Sequence, residues 1–290
     1  MQETKEIHAL FTLIDDPDEE VYSTISEKIV EYGKGIIPNL EHLWETTPSE
    51  DVQERIEMII HKLHFTDLCN DFTAWKNSAY HDLLFGTLLV SKFQYPDLQT
   101  SPVLEEIEKI RRNIWLELNS FLTPLEQANV LSSILYNYCN LKGSEINYEK
   151  PDEFFLHKVL ESKKGNTLSN GLIYQILCDQ LDINARIINI PKQCIIAFFH
   201  SDFDPILHPG HPQEKIHFYV DATTGQAFSH ADIESYFKRI SVPPVASYFK
   251  PQSDKRLIQQ LLEEVAKCFD SPVNAYKHAE LMQLAGLLEE

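Results

Sequence analysis

KGNTLSNGLIYQILCDQLDINAR, residues 164–186, is the stretch on which the reading of this chain turns. A loop holding Gly165 runs into an apolar segment of helical spacing, and that segment runs into β-branched residues that read as a strand. Thr167 falls at the helix start. The plain expectation for it is an N-cap, with its hydroxyl bonded to the free amide of residue 169 or 170. Gly165 is expected to supply a positive φ or a close backbone approach. Gly171 weakens a helix by about 1 kcal/mol relative to alanine, so its expected use is close packing of a neighbouring element. Leu172, Ile176, Cys178 and Leu181 spread apolar character around most of the circumference, which predicts burial on several sides.

Downstream, RIINIPKQCIIAFFH (186–200) and KIHFYVDATTGQAF (215–228) read as two strands separated by a loop rich in proline and histidine. The chain then reads as helical, ending in a hairpin over 254–288 broken at Ser271–Pro272. Upstream, residues 142–166 are polar and loop-rich around one short apolar helix. Before them, residues 67–141 read as successive helices divided at Pro96, Pro102 and Pro124, with Tyr95-Pro96-Asp97 as a helix exit. Trp44, Trp75 and Trp115 are expected in the core or in helix seams. Residues 1–64 read as paired helices. Asp16 is expected to cap the second, with Pro17 at its first position and Val21, Ile25 and Ile29 on its apolar face.

At 290 residues and 43% hydrophobic composition the chain can bury a sizeable core. Its 25 basic and 44 acidic residues leave −19, a field that repels phosphate backbones and anionic headgroups. Nucleic acid and membrane surfaces are therefore excluded as expected partners, and a basic protein partner is favoured. Residues 1–64 hold 15 acidic and 5 basic side chains, so more than half of the excess lies in the first quarter. The five cysteines, Cys69, Cys139, Cys178, Cys194 and Cys268, show no CxxC spacing and are odd in number, which argues against a disulfide framework and against a cysteine-rich zinc site. No signal-peptide pattern and no long apolar run occur, so the expectation is a cytoplasmic protein with no cofactor and no metal. His200, His208, His211 and His217, with Asp202 and Asp204, read as a solvent-exposed loop, because its prolines are incompatible with helix-borne metal ligands.

LIDDPDEEVYSTISEKIVEYGKGIIPNLEHLW (13–44) resembles a HEAT-type helical repeat. Three further phrases, DLLFGTLLVSKFQYPDL (82–98), the run from Phe154 to Phe199, and FYVDATTGQAFSHADIESYFKRI (218–240), resemble the SirB family of transglutaminase-like proteins. That resemblance implies a mostly helical α+β protein in which a transglutaminase-like, papain-like core carries a small antiparallel sheet flanked by helical segments. The organisation it implies is a HEAT-like segment over 1–64, a SirB-type domain over 65–240 (helical 65–141, core 142–240), and a TPR-like C-terminal hairpin over 241–290.

In such a core a cysteine at a helix N-terminus attacks an amide carbonyl, a strand histidine moves the proton, and an acid orients the histidine. Carried over by position, the cysteine place falls on Thr167, the histidine place on Gln193 and the acid on Asp221. Only the acid is retained. A threonine hydroxyl is negligibly ionised at neutral pH and needs a base, and glutamine takes up no proton there. The leading expectation is therefore a non-catalytic, pseudoenzyme-like interaction or scaffold protein with no catalytic residues. The alternative is an amide hydrolase or acyltransferase using Cys194 or Thr167 as nucleophile and His211 or His200 as base. Strand alternation speaks against Cys194, since it faces the core if Gln193 faces the cleft. A third reading is a small-molecule sensor using the altered cleft beside Gln193.

Overall fold

A computed structural model describes residues 2–191, 193–203 and 212–289. The chain divides into two compact units, residues 1–74 and 75–290. In the first, α1 (Gln2–Thr12), α2 (Glu19–Glu31), α3 (Ile37–Thr46) and α4 (Glu50–Lys76) enclose a core of Ile14, Ile25, Ile29, Leu40, Ile56 and Ile59. The α2 cap is Asp18, whose carboxylate accepts from Glu20 N, while Asp16 accepts from Asp18 N one turn earlier. Asp16 therefore holds the capping residue rather than the helix. Helix α4 passes through residue 64 without interruption, so the first unit runs ten residues beyond the sequence-based boundary.

In the second unit α5 (Leu83–Gln94) is capped by Asp82, which accepts from Phe85 N. Leu88, Leu89, Val90 and Phe93 on this helix are buried. In α6 (Thr100–Glu117) Val103, Ile107, Ile110 and Ile114 recur at helical spacing and form its buried stripe. Helix α7 (Pro124–Ser132) opens on a capping box between Thr123 and Glu126 and passes into a π-helical turn over Ser133–Tyr138. The polar stretch that follows forms β1 (Lys142–Ser144), α8 (Leu156–Ser162) and β2 (Lys164–Asn166), with β1 and β2 paired in parallel. This short sheet has no periodic signature in the sequence. Trp75 is buried as expected, but Trp115 is 60% exposed and Trp44 is 37% exposed, so neither is a core residue.

Helix α9 (Thr167–Gln180) lies against a four-stranded antiparallel sheet in the order β3 (Ala185–Ile190), β4 (Gln193–Phe199), β5 (Ile216–Asp221), β6 (Ala227–Phe228). The sequence reads two strands where there are four. Each β-rich run folds back on itself, the first at Pro191, a break marked in the sequence by the polar Lys192 and Gln193 that follow it. Alternation along β4 sends Cys194 toward α9, and Ile195, Ala197 and Phe199 to the opposite face. There they join Tyr219, with Ile233 and Phe237 of α10 (His230–Ile240) and Phe249. Gln252 N donates to Ile187 O on the outer strand β3 at 2.9 Å. Helices α11 (Asp254–Ala266) and α12 (Ala275–Leu287) pack together, and α11 packs on α5.

A Cβ placed on Gly171 meets Ile187, Ala222 and Cys194 at 3.5–3.6 Å, which is ordinary contact. The packing is close but admits a methyl group. Gly171→Ala is expected to raise unfolding stability by about 0.5–1 kcal/mol through lost chain entropy, read as a higher urea midpoint at unchanged m-value.

The start of α11 is fixed by a carboxylate. Gln175 Nε2 on α9 donates to Asp254 Oδ1 at 3.0 Å, while Gln175 Oε1 accepts from Ile187 N on β3 at 2.8 Å. Burial first, and then the Asp179 charge, push the Asp254 carboxyl up to about 6, against the opposing pull of Arg186 and His81. Asp179, itself ion-paired with Arg186, is also raised by burial. Because the folded protein holds the Asp254 proton more tightly than the unfolded chain, its contribution is greatest below about pH 4 and is lost as pH rises toward 6. Asp254→Asn is expected to show little difference from the wild type at pH 4 and to be more stable by about 2 kcal/mol at pH 7, measured by urea unfolding at both pH values.

Candidate functional site

The site begins at the N-terminus of α9, whose cap is Asn166 and not Thr167. Asn166 Oδ1 accepts from Leu168 N and Ser169 N, both at 3.0 Å, and Ser169 Oγ accepts from Asn166 N at 2.9 Å. Asn166 Nδ2 donates to Glu153 O at 3.2 Å. With the first amides satisfied one residue earlier, Thr167 occupies the first helical position with its hydroxyl released from capping. That hydroxyl donates across to the backbone carbonyl of Cys194 on β4 at 3.2 Å. Thr167 thus lies against the peptide next to Gln193, the exposed first residue of β4.

Asp221 closes β5 directly opposite Ile195, so Gln193 and Asp221 are diagonal neighbours on one face of the sheet. The three positions assigned from the sequence therefore lie at one end of the sheet but on two sides of it, Thr167 with α9 and the Gln193 and Asp221 side chains on the opposite face with Ile195. Their chemistry is spent locally. The Asp221 carboxylate accepts from Thr223 N at 2.8 Å and from the hydroxyls of Thr223 and Thr224 at 2.8–2.9 Å, which makes it the organiser of its own turn.

Gly165 serves close approach, without a positive φ. A Cβ there would collide with Asn170 Oδ1, with Ser169 Oγ at 2.7 Å and with Val159 at 2.9 Å. Asn170 is fully buried, and its amide has no hydrogen-bond partner among the described residues. Asn170 and the capping role of Asn166 were not singled out in the sequence. The signal available was the spacing Asn166-x-x-Ser169, a capping pattern one residue earlier than the one centred on Thr167.

Cys194 is buried against α9, and desolvation pushes its thiol up to about 12, far from thiolate formation at neutral pH. Cys178 is fully buried and likewise raised by burial. His200 follows the far end of β4, six residues from Cys194 and so roughly 20 Å along an extended strand, out of reach of both Cys194 and Thr167. It stacks on His217 with ring centroids 3.6 Å apart. His211, the other base considered, lies outside the described residues, as do His208 and Asp204.

Of the remaining described imidazoles of this unit, three are hydrogen-bonded elsewhere. His81 Nε2 bonds Lys76 O, His278 Nδ1 bonds Ala266 O, and His230 lies between Ile216 O and the Tyr219 hydroxyl. His157 packs edge-on to Tyr95, with burial lowering its basicity. Among the described residues no histidine nitrogen bonds the Thr167 hydroxyl, and no group of three or more acidic, histidine or cysteine side chains is placed to hold a metal ion.

The family model described as the transglutaminase-like superfamily matches residues 101–263, which span α6 through α11 and contain the whole site. The chain belongs to the transglutaminase-like superfamily. Within it, this transglutaminase-like chain is similar to Protein SirB1 of Salmonella typhimurium, with 22% identity over 200 residues covering 69% of this chain and 68% of that protein. Protein SirB1 of Salmonella typhi matches with the same identity and coverage. The SirB-like assignment and the mostly helical α+β fold both hold. No solved structure matches the chain. No helix among the described residues is long and apolar enough to cross a membrane.

Proposed function

We propose that this chain keeps the transglutaminase-like fold without its acyl-transfer chemistry and works by binding another protein. The observation that carries the reading is the Thr167 hydroxyl, which gives its proton to a backbone carbonyl and not to a base. Nucleophilic attack by a hydroxyl requires a proton acceptor within about 2.6–3.2 Å, and the neighbouring Gln193 amide cannot serve. Nor is Cys194 a substitute, since its thiol is buried and held protonated.

Labelling with electrophilic probes for thiols and hydroxyls tests this reading. Peptide mapping of the folded protein is expected to find no adduct at Thr167 or Cys194. An adduct at either position that also blocks hydrolysis of a peptide amide would overturn it.

The binding surface we favour is the helical first unit, whose HEAT-like pairs leave acidic grooves. One, of about 430 Å³, is lined by Glu41, Trp44, Glu45, Glu57 and Ile60. Its charge and its aromatic wall suit a basic partner. Photo-cross-linkers placed at Glu45 and, for comparison, at Glu280 are expected to trap partner protein from cell extract at Glu45 only. Capture at Glu280 alone would reject the first unit as the binding surface. A cytoplasmic location belongs to the same proposal, supported by Cys139, Cys178, Cys194 and Cys268, none of which is in a disulfide.

A further inference from the structure

The face of the four-stranded sheet turned away from α9 holds a second feature, separate from the Thr167 site. A cavity of about 410 Å³ opens between β5, α10 and the segment that follows α10. Its walls are Phe237, Val242, Pro243, Pro244 and Phe249, a set of flat or branched apolar surfaces of the size that receives a small molecule.

The polar groups at this cavity are biased toward donors. Lys238, Ser241 and Gln213 bring an ammonium, a hydroxyl and an amide to its lining, against the single carboxylate of Glu234. Lys238 takes part in no ion pair among the described residues. Ser241 sits at the C-terminal end of α10 in a left-handed conformation, φ 57°, directly beside the apolar wall formed by Val242 and Pro243.

At the back, His230 is not available as a ligand. Its Nε2 lies 2.9 Å from Ile216 O, which can only accept, so Nε2 carries the hydrogen and Nδ1 takes the Tyr219 hydroxyl proton at 3.3 Å. Both ring nitrogens are thus committed, and burial raises the Tyr219 phenol further out of the titrating range. Recognition of a ligand's polar end falls to the three donors at the cavity.

From this combination we propose that the cavity binds a small monocarboxylic acid with an aromatic or branched apolar body, the body held among Phe237, Phe249 and the two prolines and the carboxylate by Lys238 with Ser241 and Gln213. The site is independent of the cleft at Thr167, so it stands whether or not that cleft is catalytic. A charged head paired with an ammonium beside an apolar wall gains more than the same head in bulk water, because the local dielectric is lower.

The test is saturation-transfer NMR on the full chain with 3-phenylpropanoate, its amide and its alcohol, followed by titration of those that bind. The acid is expected to bind at least tenfold tighter than the amide or the alcohol. Lys238→Gln, on an exposed side chain that leaves the core intact, is expected to weaken the acid at least fivefold and leave the amide unchanged. Val242→Trp, which fills the cavity, is expected to abolish all three signals while circular dichroism stays native. Absence of signal from the acid, equal affinity for acid and amide, or an unaltered acid affinity in Lys238→Gln would each overturn the proposal. Should Val242→Trp fail to fold, Lys238→Gln decides alone.

Discussion

Gly165→Ala is expected to cost about 3 kcal/mol of folding stability, a large share of the roughly 5–15 kcal/mol of an ordinary domain. The added Cβ would land on the Asn170 amide, on Ser169 Oγ at 2.7 Å and on Val159 at 2.9 Å. None of these can retreat cheaply. Ser169 closes the capping box with Asn166, Asn170 is fully buried, and Val159 lies in the buried face of α8. Relief therefore requires β2 and the first turn of α9 to part, which also strands the capped amides. Urea unfolding measures the loss, and a second reading comes from faster exchange of the Leu168 and Ser169 amides. A loss below about 1 kcal/mol would mean that the loop shifts freely and that the geometry described for Thr167 is not fixed.

Thr167→Cys combined with Gln193→His is expected to leave the thiol no more reactive than in Thr167→Cys alone. Cys194 faces α9, so alternation turns the side chain at 193, with that of Asp221, to the opposite face of the sheet, and Thr167 meets only the backbone of β4. An imidazole at 193 therefore lies across the sheet from a thiol at 167 and does not favour its thiolate. Alkylation of residue 167 by iodoacetamide at pH 6.5, followed by peptide mass analysis, is expected to run at the same rate in the two variants. A double variant at least tenfold faster at pH 6.5, with the advantage gone near pH 9 where an unassisted thiol ionises by itself, would show that the two side chains do face each other.

The same pair of residues shows what the sequence could and could not say. Where the three positions fall along the elements was legible because it follows from their order: a helix start, the first residue of a strand, and the end of the strand paired with it; which face of the sheet residues 193 and 221 take was not, since it depends on the register of β4. The hydrogen bond that binds Thr167 was not legible. Thr167, Ser169 and Asn166 are all competent caps, and the choice among them is made by packing of β2 against β1, a parallel pair of three residues each with no periodic signature. Strand number was misjudged for a different reason: Pro191, Lys192 and Gln193 are a short turn signal, outweighed by the β-branched and aromatic residues beyond them on both sides. The exposure of Trp115 follows from its place one residue past Ile114 on α6, off the stripe that Val103, Ile107 and Ile110 define. A hydrophobicity count cannot see that offset, whereas a helical projection can.

The two borders of the four-stranded sheet carry a consequence for behaviour at high concentration. On one side the outermost strand, β6, is only two residues long, and on the other β3 already receives a main-chain bond from Gln252. Little unpaired backbone is left as a template on which another molecule could add a strand. Storage as a concentrated solution should therefore be limited by association through exposed aromatic residues such as Trp115 and Phe121, and not by growth of fibres from the sheet.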